Sequence, residues 1–140
     1  MPGLESAVRV VGEWVQKAEN DLEAAGRILR SGAGLPADTV CFHAQQCVEK
    51  YLKALLALRG IAFPKTHNLR ALMGLVPRND QPQFSEDEQD VLTDYATGAR
   101  YPGWGDVPPR EAREAVKLAR RIRREIRRLF PKEALPRRKR

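Results

Sequence analysis

Four side chains able to share a proton or hold an anion recur along the stretch from Asp38 to Gly60, DTVCFHAQQCVEKYLKALLALRG: His43, Gln46, Lys50 and Lys53. Each lies three or four residues from the next, so on an α-helix they fall along one flank and are neighbours in space. On the same helix Val40, Ala44, Val48, Tyr51, Leu55 and Leu58 form an apolar side that must be buried. One predicted helix carries both core and chemistry.

Spacing excludes several kinds of catalysis. There is no Gly-rich phosphate loop after a strand, no HExxH, no paired CxxC and no Gly-x-Ser-x-Gly turn. The only two histidines, His43 and His67, meet only if the fold brings them together, and the lysines beside His43 repel a dication, so neither a metal nor another cofactor is expected. What remains is a cationic, hydrogen-bonding set: His43, Gln46, Lys50, His67, Arg100 and Tyr101. Such groups suit a nucleotide phosphate or an RNA backbone, Arg through its bidentate fork and Lys as a point charge. The same residues also admit structural roles: a hydrogen-bonded His43, solvated Lys50 and Lys53, and an Arg100 that satisfies carbonyls at a helix end. Spacing alone assigns no catalytic residue.

The elements that must position this set are helical. Leu4, Val8, Val11, Val15, Ala18, Leu22, Ala25 and Leu29 recur in steps of four and three, a long amphipathic helix with Glu5, Glu13, Lys17, Glu19 and Glu23 mostly on its wet side. Ser31-Gly32-Ala33-Gly34 stops it, Asp38 is the expected N-cap of the second helix, and Gly60 closes that helix. Thr66 is the expected cap of a short helix ending before Pro77, and Ser85 with Glu88 forms a capping box for a fourth that runs toward Arg100. Tyr101-Pro102-Gly103-Trp104-Gly105 reads as a turn, and Ala112, Val116, Ala119, Ile122, Ile126 and Leu129 mark a last helix. The predicted architecture is all-α: an antiparallel up-and-down bundle of about five helices over residues 1–131, then a basic tail, 132–140, expected to be disordered.

The net charge of +7 is unevenly placed. Residues 120–140 hold eleven Lys or Arg and two Glu, a net +9, which leaves −2 on the other 119. A basic face spread over the whole domain is thereby excluded; the excess belongs to one helix end and its tail, as a solvated terminus or a polyanion contact. Cys41 and Cys47 lie six apart on one helix and cannot bridge, and no apolar run is long enough for a membrane span. A cytoplasmic protein with buried, reduced thiols is the expectation.

The segment FHAQQCVEKYLKALLALRG, followed by PKTHNL and later by ARYPG, resembles the HEPN family, with the likeness running from about Trp14 through AENDLEAA to about Phe130. The resemblance implies a helical bundle, usually homodimeric and often encoded beside a minimal nucleotidyltransferase in toxin-antitoxin-like pairs, and it extends to the helical substrate-binding domains of some nucleotidyltransferases. Many such proteins are metal-independent ribonuclease toxins whose active site pairs an Arg with a His separated from it by four to six intervening residues. There the His moves a proton and the Arg stabilises the charged phosphorane-like state. Here the positions after Arg100 are Gly105, Asp106 and Val107, with no His, and Arg59 lies eight residues before His67. The resemblance therefore implies a nucleotide- or RNA-binding module acting with a nucleotidyltransferase partner, and, as an alternative, a ribonuclease toxin with a divergent site built on His43 or His67.

Overall fold

The structure, a computed structural model, describes residues 3–136, except the side chains of Leu4 and Arg100. It has five α-helices: α1 (Leu4–Leu29), α2 (Ala37–Leu58), α3 (Leu69–Met73), α4 (Glu86–Ala96) and α5 (Pro109–Arg127). Single 3-10 turns occupy Arg78–Asp80, Gly98–Arg100 and Lys132–Ala134, and no strand occurs among the described residues. Among the described residues no helix is long and apolar enough to cross a membrane.

The apolar periodicity of α1 and α2 makes them pair. Ser31 to Pro36 is too short to let the chain do anything but reverse, and Gly32 (φ 98°) and Gly34 (φ 79°) take the left-handed conformation that the reversal needs. Antiparallel register follows from the cross-links: Glu19 meets Tyr51, and Asp21 meets both His43 and Lys50. The long connection from Gly60 to Ser85, which contains α3, lets α4 return antiparallel to α2. α5 then runs antiparallel to α4, Arg121 reaching Glu88 at one end and Glu111 meeting Tyr95 at the other. The four long helices thus alternate in direction.

α2 is the centre of this arrangement and packs against α1, α3, α4 and α5. Its predicted apolar residues Val40, Ala44, Val48, Tyr51 and Leu55 are fully buried, Leu58 is partly so, and Leu52 and Leu56 join them in the core. Val11 and Val15 of α1, Leu92 of α4 and Ile122 and Ile126 of α5 complete it. Cys41 and Cys47 are fully buried free thiols, and burial pushes both up, Cys41 to about 12.

Three local expectations are corrected. α2 begins at Ala37 with Pro36 in the cap position; Asp38 is a first-turn acid whose Oδ1 accepts from the Thr39 N–H at 2.8 Å, still favourable beside the positive end of the helix dipole. The cap of α3 is Asn68, whose Oδ1 accepts from the Ala71 N–H at 3.1 Å, because Thr66 is spent on the Asn68 N–H. α4 starts at the Ser85–Glu88 capping box but ends at Ala96, and Thr97 at ψ −95° breaks the helix before the 3-10 turn Gly98–Arg100. At the other terminus the Lys132–Ala134 turn buries Ala134 against α1, where its carbonyl lies 3.3 Å from the place a Cβ on Gly12 would take. Packing therefore continues past residue 131, where the sequence alone suggests a disordered tail; residues 137–140 lie outside the described ones.

Candidate functional site

The polar flank of α2 does not stay together as one recess. It divides between two carboxylates, one from α1 and one from α2 itself. On the first side Asp21 Oδ2 takes Lys50 Nζ at 2.5 Å and Oδ1 lies 2.8 Å from His43 Nδ1. Two groups expected to attract phosphate thus share a single, largely buried anion.

On the second side Glu49 is the hub. Its side chain is only 4% exposed, and it accepts from Gln45 Nε2 at 3.0 Å and from Lys53 Nζ at 2.9 Å, with His67 Nδ1 at 2.8 Å. Burial alone would push this carboxyl up, but the hydrogen bonds from Gln45, Lys53 and His67 outweigh it and hold Glu49 below its ordinary value. Gln46 donates to Gln45 Oε1 at 2.7 Å and reaches Glu49 at 3.5 Å. Gln45 also donates to the His67 carbonyl at 3.2 Å, which ties the segment before α3 to α2. Lys53, expected to be solvated, is buried between Trp14 and Phe63, its Nζ 5.6 Å and 6.0 Å from the two ring centroids. His67 differs from the rest: its side chain is 56% exposed although Nδ1 is held by the buried acid.

A third polar centre ties α1 to α5. Glu19, placed on the wet side by sequence, accepts from Arg123 Nε and Nη2, both at 2.8 Å, and from Tyr51 Oη at 2.7 Å. Burial pushes its carboxyl up, the arginine and tyrosine hydrogen bonds pull it down further, and the net direction is down.

Arg100 and Tyr101 sit elsewhere, at the 3-10 turn that packs against α2. The Arg100 side chain lies outside the described residues. Tyr101 is 64% exposed. Trp104 is 47% exposed and lays its ring over Gly98, where a Cβ would come within 2.6 Å of Cζ3. Gly103 (φ 95°) and Gly105 (φ 99°) supply the left-handed backbone that folds Trp104 back onto the turn.

The structure therefore joins His43 with Lys50, and Gln46 with His67, and it replaces the expected cationic recess by two charge-compensated networks. The residues that sequence reasoning passed over are the acids and Gln45. Glu49 was detectable in part, since Gln45, Glu49 and Lys53 stand at successive i, i+4 positions. Asp21 gave no such signal.

Comparison with known proteins agrees with this architecture. A family model described as the HEPN domain matches residues 11–129. The crystal structure of TT1696 from Thermus thermophilus superposes with a TM-score of 0.69 at 27% identity, over 86% of this chain and 98% of that one. ST0689, an archaeal HEPN homologue, gives a TM-score of 0.65 at 27% identity with the same coverage. A Methanocaldococcus jannaschii protein, MJ1304, a toxin candidate by its name, is 46% identical over 50 residues. That match spans 36% of this chain and 31% of MJ1304.

Proposed function

The chain belongs to the HEPN family, and from that premise we propose that it is a nucleotide- or RNA-binding module, homodimeric and paired with a minimal nucleotidyltransferase in a toxin-antitoxin-like arrangement. The observation that supports this reading is the turn after α4. Two aromatic rings, Tyr101 and Trp104, stand exposed on it, and Trp104 is held in place over a residue with no side chain. A ring fixed in this way loses little freedom when a base stacks on it, and such stacking contributes about 1–3 kcal/mol per base. Arg100 supplies the fork for the adjoining phosphate. Lys50 and His43 take a smaller part, because Asp21 already balances them.

Titration of nucleoside triphosphates and short single-stranded RNA tests the proposal. Tyr101→Ala, Trp104→Ala and Arg100→Ala should each weaken binding roughly fivefold to a hundredfold. Equal affinity in all four proteins, or no binding by the wild type, removes it. Copurification of a small nucleotidyltransferase tests the partnership separately.

A second reading, a metal-independent ribonuclease toxin, is favoured by one pair, Glu49 and His67. A carboxylate at Nδ1 selects the tautomer that carries its proton there and leaves Nε2 as a base on the exposed side of the ring. Expressed alone, the protein would then arrest growth and cleave RNA, and His67→Ala would abolish both. Intact RNA in cells expressing the wild type excludes this reading.

A further inference from the structure

The segment from Thr97 to Pro108 leaves α4 and returns at α5, carrying both rings of the proposed binding turn. Little fastens it to the bundle. Tyr101 to Asp106 are exposed, while Ala99 and Val107, one near each end, pack against the core. Its backbone bonds are local: the Tyr101 N–H donates to the Gly98 carbonyl at 3.1 Å, and the Trp104 N–H to the Tyr101 carbonyl at 3.4 Å. Neither bond ties the leaving leg to the returning one at the base.

A side-chain pair does so. Tyr95, in the last turn of α4, donates its hydroxyl to Oε1 of Glu111, in the first turn of α5, at 2.7 Å. Tyr95 is 5% exposed, and the Cys41 thiol of α2 lies against the same phenol. Burial pushes the phenol up and the Glu111 carboxylate pushes it up further, so the hydroxyl keeps its proton and donates it. An acid in the first turn of a helix suits the dipole wherever its side chain points. The dipole therefore accounts for the charge of Glu111 but not for its bond to the neighbouring helix.

A second closure lies above the first. Trp104 belongs to the returning leg, yet its ring covers Gly98 of the leaving leg. The two closures are nested, since the pair Tyr95 and Glu111 encloses the pair Gly98 and Trp104. Tyr95 and Glu111 are sixteen residues apart, and joining them removes part of the chain freedom that opposes the seating of the indole. Without that bond the ring contact alone would have to hold the legs together.

We propose that the Tyr95–Glu111 hydrogen bond is a clasp that fixes the Tyr101 and Trp104 turn in its binding shape, which makes Tyr95 and Glu111 positioning residues for the ligand. The inference rests on the reading of that turn as the binding site. The clasp acts through the rings, by lowering the cost of ordering them.

Time-resolved anisotropy of Trp104, in the Trp14→Phe background where it is the remaining tryptophan, reads the clasp without a ligand. Tyr95→Phe keeps the ring and loses the donor; Glu111→Ala loses the acceptor. Each should add a nanosecond motion of the indole that the parent lacks. Glu111→Gln retains an acceptor oxygen and should stay close to the parent. Affinity for ATP and for a short labelled single-stranded RNA should fall roughly twofold to tenfold in Tyr95→Phe and in Glu111→Ala, the cost of ordering a freed side chain. The double variant should bind no more weakly than either single one, because one bond is lost in all three. Circular dichroism verifies that each variant is folded, and either one decides the question if the other is not. The clasp is overturned if the indole moves no more freely in the two variants than in the parent. It is equally overturned if the parent binds a probe and both variants bind it as tightly. A parent that binds neither probe refutes the binding site instead, and the anisotropy then decides the clasp by itself.

Discussion

Lys50 Nζ on α2 lies 2.5 Å from Oδ2 of Asp21 on α1, so the lysine best placed by sequence to attract an anion has one already. The pair is largely enclosed, and His43 adds a second contact to the same carboxylate. Asp21→Asn keeps the shape and removes the charge. It should raise affinity for a triphosphate or RNA about threefold to tenfold at low salt, through a Lys50 that is no longer balanced. Adding Lys50→Ala should return binding to the wild-type level. An Asp21→Asn protein that binds no more tightly than the wild type would mean that Lys50 faces no ligand.

Acid should act through Glu49. Burial would raise its carboxyl, but Gln45, Lys53 and His67 hold it below the ordinary 4.5. The native state then binds fewer protons than the unfolded chain, so the stability this group supplies is complete above about pH 4.5 and drains as pH falls through the lower, folded value. Urea unfolding followed over a pH series should show that decline. Glu49→Gln should flatten part of it and lower stability at neutral pH by roughly 3 kcal/mol, because Lys53 loses its acid inside the bundle. Glu19 and Glu88 shift in the same direction, so some slope remains in the variant.

Glu19 joins three helices, taking Tyr51 from α2 and Arg123 from α5 onto α1. Glu19→Gln should cost about 2 kcal/mol in chemical denaturation, the scale of charge-assisted bonds that are partly screened. Arg123→Ala should cost a similar amount, and the double variant should cost clearly less than the two added together. Strict additivity would show that the contact carries no energy.

Trp104 offers a local readout. A methyl group at residue 98 would meet its ring at 2.6 Å, so Gly98→Ala must move the indole off the turn. In a Trp14→Phe background, where Trp104 is the remaining tryptophan, its emission should shift to the red and be quenched more readily by iodide. RNA affinity should fall along with it, since the ring is then no longer fixed. Unchanged emission would place Trp104 elsewhere.

The parts of the fold that show in the sequence are the parts set by short-range chemistry. The stripe from Leu4 to Leu29, the capping box at Ser85 and Glu88, and the glycine that ends α2 each depend on neighbours within a turn or two. Where two candidates compete for one role the sequence is ambiguous. Asn68 caps α3 because Thr66 already serves the Asn68 amide, and Pro36 displaces Asp38. The candidate site was legible in composition but not in charge balance. Lys53 and Glu49 stand four apart and could be paired by inspection, whereas Asp21 comes from another helix, 29 residues before the lysine it neutralises. Glu19 looked solvated because its helix is amphipathic; it is the arrival of α5 that encloses it.

Cys41 and Cys47 lie wholly inside the bundle, with Cys41 held at about 12. At neutral pH neither offers a thiolate to an alkylating reagent while the helices are closed. The rate at which iodoacetamide consumes them is therefore a clock for the opening of α2, readable by mass in the unmodified protein without a probe being introduced. The same seclusion leaves the outer surface without a reactive sulfur among the described residues, so a single engineered cysteine on an exposed helix position can carry a dye without competition.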